Sequence, residues 1–148
     1  MSKYRYPLQR IVDLKTSEKT QAEWMLSAAI GKLHDEERSL EQLASELAEC
    51  RERLHAAASE GIPLAELQMI QHYIGFLESR IDRKKQDVRY AQTEVERGQI
   101  RLSDKMMDEK IWLKTKEKAL DAFLHGMRLK EQNELDEMAT VRHMLAAR

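Results

Sequence analysis

Leu26, Leu33, Leu40, Leu47 and Leu54 fall seven residues apart. A leucine at every seventh position lies along one line of an α-helix and calls for a second helix to cover it. No other feature constrains the chain as tightly. It fixes one long helix and asks whether the partner is a second copy, another protein or another part of the same chain. Turn residues are scarce, with five Gly and two Pro in 148 residues, which leaves no room for a many-stranded fold. At 34% charged and 5% aromatic, the chain reads as long helices or coiled coil.

The strong punctuation is the stretch ASEGIPLAEL, residues 58–67. Gly61 suits the left-handed residue that closes a helix, and Pro63 suits the first turn of the next. Pro7 plays the same starting part near the N-terminus. The spacing predicts one coiled-coil domain over residues 1–148: a helix from about 7 to 58, a turn at 59–63, and a second helix from about 64 to 144.

Calling the leucine row a, the d row of the first helix is Ala22, Ala29, Glu36, Leu43 and Cys50. In the second helix, Leu67, Ile74, Ile81, Val88, Val95 and Leu102 form row a, and Ile70, Leu77, Lys84, Ala91, Gly98, Lys105 and Trp112 form row d. Antiparallel coiled coils set a against d. A chain folded back at Gly61–Ile62 makes facing residues equidistant from Ile62. On that rule Leu54 meets Ile70, Cys50 meets Ile74, Leu47 meets Leu77 and Leu43 meets Ile81. Further along, Leu33 meets Ala91, Ala29 meets Val95, Leu26 meets Gly98, Ala22 meets Leu102 and Val12 meets Trp112. Several layers oppose a large residue to a small one, as interdigitated packing requires. The fold class expected is all-α: two long helices forming an antiparallel coiled-coil hairpin, each arm roughly 75–80 Å long at 1.5 Å per residue.

The seam is not uniform. Near the turn it is apolar. In the middle, Glu36 and Lys84 sit in neighbouring layers and either pair or, as the favoured reading, both extend to the edge. Toward the chain ends Lys19 faces Lys105, Lys15 faces Glu109 and Leu8 faces Lys116, so looser packing is expected there. The arms are also unequal. Met1 comes level with about Phe123, and an apolar stripe continues past it through Leu120, Leu124, Met127, Met138, Val141 and Leu145, interrupted by Glu131 and Glu134. An amphipathic helix with nothing over its stripe is either a docking surface or a frayed tail, and docking is the expectation.

No motif for chemistry emerges. The five histidines lack the spacing of a metal-binding helix pair, Cys50 occupies a core position away from any base, and phosphate-binding glycine loops are missing. The expectation is a non-enzyme with no cofactor or metal. Upstream of the leucines, RIVDLKTSEKTQAEW interleaves acids with bases, and the net charge is −1, so nucleic acid is not an expected partner. No apolar run approaches a membrane span. The single cysteine fits a reducing compartment. What stands out instead is LQMIQHYIGFLESRIDRK, residues 67–84, where Tyr73 and Phe76 lie off the seam centre. They either anchor a partner or shield the flank of the coil.

The opening YRYPLQRIVDLKTSEKTQAE resembles the N-terminus of the flagellar type III export protein FliJ family: an aromatic-x-aromatic pair, a hydrophobic pair, then Leu-Lys. EKIWLKTKEKALDAF and NELDEMATVRHM resemble its Lys/Glu-rich helix and its Leu-Asp-Glu-Met-Ala ending. YscO-type injectisome stalk proteins are related to that family. The resemblance implies a non-enzymatic stalk and chaperone component of the bacterial flagellar export apparatus. Such a stalk is inserted in the hexameric export ATPase and links it to the membrane export gate protein FlhA, with export chaperones as further partners. It implies a cytoplasmic protein held peripherally at the inner face of the membrane. Gate-contact positions of the family match Tyr73 and Leu77. Arg80 and Lys84 stand at two others, where some relatives carry a small residue and a histidine, and Phe76 lies beside them. The rotor analogy puts the overhanging stripe, Leu124, Met127, Met138, Val141 and Leu145, inside the ATPase ring. The free protein is expected to be a monomeric hairpin; the alternative is a homodimeric coiled-coil scaffold or adaptor.

Overall fold

The computed structural model describes residues 4–147. Two helices account for nearly all of them: α1, Gln9–Glu60, and α2, Leu64–Ala146, with no strand among the described residues. Both run two residues further at their C-termini than the spacing predicts. α1 begins two residues later than Pro7, because Gln9 N–H first closes a turn onto the Tyr6 carbonyl at 3.1 Å. The helices pack antiparallel as a hairpin. Backbone contacts divide the chain into two units, Gln21–Ser103 and Met1–Thr20 with Asp104–Arg148.

In the unit Gln21–Ser103 the turn is built as its residues dictate. Gly61 has φ 73°, a conformation that a side chain would strain, and Ile62 N–H reaches back to the Ala57 carbonyl at 3.3 Å. That is the bond pattern of a glycine-terminated helix. The Pro63 carbonyl then accepts from Glu66 and Leu67 at 3.0 and 3.3 Å, opening α2. Beside the turn Leu43, Leu47, Cys50, Ile74, Leu77 and Ile81 form one buried cluster, with Leu40, Leu54 and Ile70 packed on it. Farther along, Ala22, Val88 and Ala91 are buried. Leu26 lies so close to Gly98 that a Cβ there would meet its Cδ1 at 3.2 Å. The large-to-small layer expected at that pair is therefore present. Glu36 and Lys84 pair directly, Nζ to Oε2 at 3.0 Å, instead of extending apart to the edge. The flexible lysine stem lets its head cross one layer to the carboxylate, which raises the Lys84 pKa. Asp87 adds a second contact at 3.6 Å.

The unit containing residues 4–20 and 104–147 holds its two segments together by other means. Among its described residues Val12 is buried, Trp112 is half-buried, and the Tyr4 ring packs at a tilt against Phe123 with ring centroids 4.8 Å apart. Lys19 and Lys105, which the register sets face to face, each find an acid instead. Lys19 bonds Glu109 at 3.0 Å and Lys105 bonds Glu18 at 3.2 Å. The Lys15–Glu109 pairing expected from the register is replaced by Lys15 beside Asp108 and Glu18, both at 3.7 Å. Side chains several atoms long reach neighbouring layers, so register alone does not choose their partners. The Lys19 ammonium, and then the Thr16 hydroxyl, hold the Glu109 carboxyl below its ordinary range.

Candidate partner-binding surfaces

The first surface belongs to the unit Gln21–Ser103. Seam positions on α2 face α1, so residues one step round the helix must face water. Tyr73 and Phe76 do so, 43% and 55% exposed. Their rings stack with centroids 6.2 Å apart, and the Arg80 guanidinium lies over the Phe76 ring at 5.7 Å. The Tyr73 hydroxyl donates a hydrogen bond to Glu46 of α1. That acceptor raises the Tyr73 pKa and steadies the ring. The result is an ordered ladder of two aromatic faces and a cation along one side of α2, suited to a partner that offers apolar surface and an acceptor.

Two residues expected in this surface are placed elsewhere. Leu77 has no exposed surface at all. It is the best-buried seam residue and offers no atom to a partner docked on the intact hairpin. The family motif points to it because it shares the helical turn of Tyr73 and Phe76, but the d position turns it inward. Lys84 is half-buried against Glu36 and Asp87. The sequence reading missed Met69, exposed one turn before Tyr73, and Tyr90 further on. Residues 69, 73, 76, 80, 83, 87 and 90 repeat the 4-3 spacing of a helix stripe. The same spacing rule, applied off the seam, finds them.

The second surface is the overhang of α2 in the other unit. Half-buried residues follow the seam spacing without a break as far as Phe123, and every described residue after it is exposed. Leu124, Met127, Met138, Val141 and Leu145 are all exposed, but their stripe does not continue the seam. Beyond Phe123 the seam positions hold Gly126, Lys130, Asn133, Glu137 and Thr140, which are small or polar, before Met144 near the end of α2. The apolar row lies one residue further round the helix, about 100° away. It begins inside the paired region at Leu113 and Leu120. A covering partner therefore approaches from a different side than α1 does.

Neither surface carries a chemical site. Among the described residues no group of three or more His, Cys, Asp or Glu is placed to hold a metal, and Cys50 is buried. Among the described residues no helix is long and apolar enough to cross a membrane.

The fold is similar to that of a solved YscO homologue, CT670, from Chlamydia trachomatis. The two agree with a TM-score of 0.73 over 97% of each chain, at 22% sequence identity. Among curated proteins no sequence matches significantly. The family model described as "Flagellar FliJ protein" matches residues 3–148. The chain belongs to the flagellar FliJ protein family, stalk-type structural components of type III export.

Proposed function

We propose that this chain links the flagellar export ATPase ring to the export gate protein FlhA, and that it does so mechanically. The Tyr73–Phe76–Arg80 ladder docks on the gate. The overhanging row from Leu124 to Leu145 seats in the hexameric ATPase. Asymmetry of the ring during ATP hydrolysis is passed through the hairpin, which couples hydrolysis to proton-driven export. On this reading the protein works in the cytoplasm at the inner face of the membrane, and export chaperones are further clients.

One observation carries the proposal: the chain satisfies its leucine row internally, yet keeps two ordered apolar surfaces off that row. A two-surface linker needs this. A homodimeric zipper needs the leucine row free, and within one chain Leu47 is buried and Leu26, Leu33, Leu40 and Leu54 are half-buried.

Pull-downs against the purified ATPase and the cytosolic part of the gate test the division of labour. Tyr73→Ala/Phe76→Ala is expected to lose gate binding and keep ATPase binding. Truncation after Phe123 is expected to keep the hairpin and the gate contact while lowering stimulation of the ATPase. Loss of both partners in both variants, or of neither, contradicts the reading.

A further inference from the structure

The overhanging row of α2 has a mirror order. Leu120 and Leu145, Leu124 and Val141, Met127 and Met138, and Glu131 and Glu134 are each equidistant from the bond between Gln132 and Asn133. A two-fold interface sets residue i against j and j against i, so a row with this order complements itself when two copies run antiparallel. We infer that in the free protein a second copy of this chain covers the row as an antiparallel two-helix pair.

Three observations favour this occupant. The layers match in type, leucine on leucine, leucine on valine and methionine on methionine, with a–d spacing throughout. The flank agrees in charge: Lys130 of one copy comes beside Glu137 of the other, and the axis makes that pair twice. Asp121 and Arg142 fall together on the opposite flank. The length agrees as well. Leu145 of the second copy comes level with Leu120, near the contact of Tyr4 with Phe123, so the second copy covers the row from Leu120 to Leu145.

The Glu131–Glu134 layers oppose the pairing, since like charges side by side destabilise. Lys130, one turn before Glu134 on the same helix, offsets part of this. The pair is therefore reversible and open to displacement. The monomer expected from the internal seam holds at low concentration only. This inference concerns the free chain and stands whether or not the ATPase covers the same row.

Sedimentation equilibrium of the full chain from about 5 to 300 µM tests it, because mass action makes a weak dimer visible only as concentration rises. A monomer–dimer equilibrium is expected. Met138→Glu should raise its dissociation constant at least about tenfold by burying a charge. Glu131→Gln/Glu134→Gln should lower it about fivefold or more by removing repulsion. Lys130→Glu should weaken the dimer, and Lys130→Glu/Glu137→Lys should restore it. All these positions are exposed, so circular dichroism should report an unchanged hairpin. In a Cys50→Ala background, Met127→Cys/Met138→Cys should oxidise to a covalent dimer and Met127→Cys alone should not. A monomer at every concentration, a dimer indifferent to Met138→Glu, or efficient cross-linking of Met127→Cys alone overturns the proposal.

Discussion

Near the turn, the seam of the Gln21–Ser103 unit is a stack of aliphatic layers around Leu77. In the other unit, the residues joining 12–19 to 105–112 are mostly lysines and acids spanning the two helices. Both stretches obey the same heptad spacing, yet they do different work. Aliphatic burial contributes roughly 25 cal/mol per Å² of apolar surface removed from water. Exposed or part-exposed ion pairs contribute about 0–1 kcal/mol each. The first stretch therefore carries most of the stability, and the ion pairs of the second add little to it. A seam joined by ion pairs beside an uncovered apolar row suits the partner docking proposed for that segment.

The largest test of that contrast is substitution. Leu77→Ala should cost about 2–5 kcal/mol in urea unfolding, as buried leucines do. Lys19→Ala should cost about 1 kcal/mol or less. Equal costs would break the comparison. Since Leu77 is wholly buried, its variant should lose gate binding only in proportion to lost folding, whereas Phe76→Ala should lose binding at unchanged stability.

Amide exchange gives the next largest effect. Protection between residues 43 and 81 should exceed that between 15 and 19 and between 105 and 109 by about a hundredfold or more. Uniform protection would remove the distinction.

Much of this was legible in the sequence, for physical reasons. Helix period and turn chemistry are local, so the leucine row, Gly61 and the point near Phe123 where pairing stops could be read directly. Register followed from symmetry about the turn, and the Leu26–Gly98 approach confirms it. Side-chain reach is not local. Lysine heads cross layers, which is why Lys84 found Glu36 and Lys15 found Asp108. The heptads place Leu77 in the seam, where it is buried, and only the family resemblance draws it to a partner surface. The rotated phase of the overhanging row is what the stripe does not reveal. A list of apolar residues along α2 does not by itself state which side of the helix they occupy once the opposing arm ends.

Two smaller effects sharpen the contrast. Gly31 has open space where a Cβ would go, so Gly31→Ala should stabilise the hairpin by about 1 kcal/mol through helix propensity. At Gly98 the contact with Leu26 at 3.2 Å should consume most of that gain, and Gly98→Ala should come out near neutral in thermal melts. The pH dependence is smaller still. Glu109 is held below its ordinary 4.5, so its contribution is present above that pH and is lost as pH falls through the lowered value. Lys84 is raised above its ordinary 10.5, so its contribution is full below that pH and is lost as pH rises through the raised value. Acid should therefore loosen the segments around Lys19 and Glu109 before it affects the cluster around Leu77. Exchange measured near pH 4 would show the order.

The claim beneath all of this is that the leucine row is closed within a single chain, which leaves recognition to surfaces off it. Cysteines placed at Leu47 and Leu77 in a Cys50→Ala background test it most directly. Oxidation at low micromolar concentration should give an internal disulfide in a monomer, and Leu47→Cys alone should give no covalent dimer. A Leu47–Leu47 cross-link between two chains would show that the row pairs copies, and the account would fail.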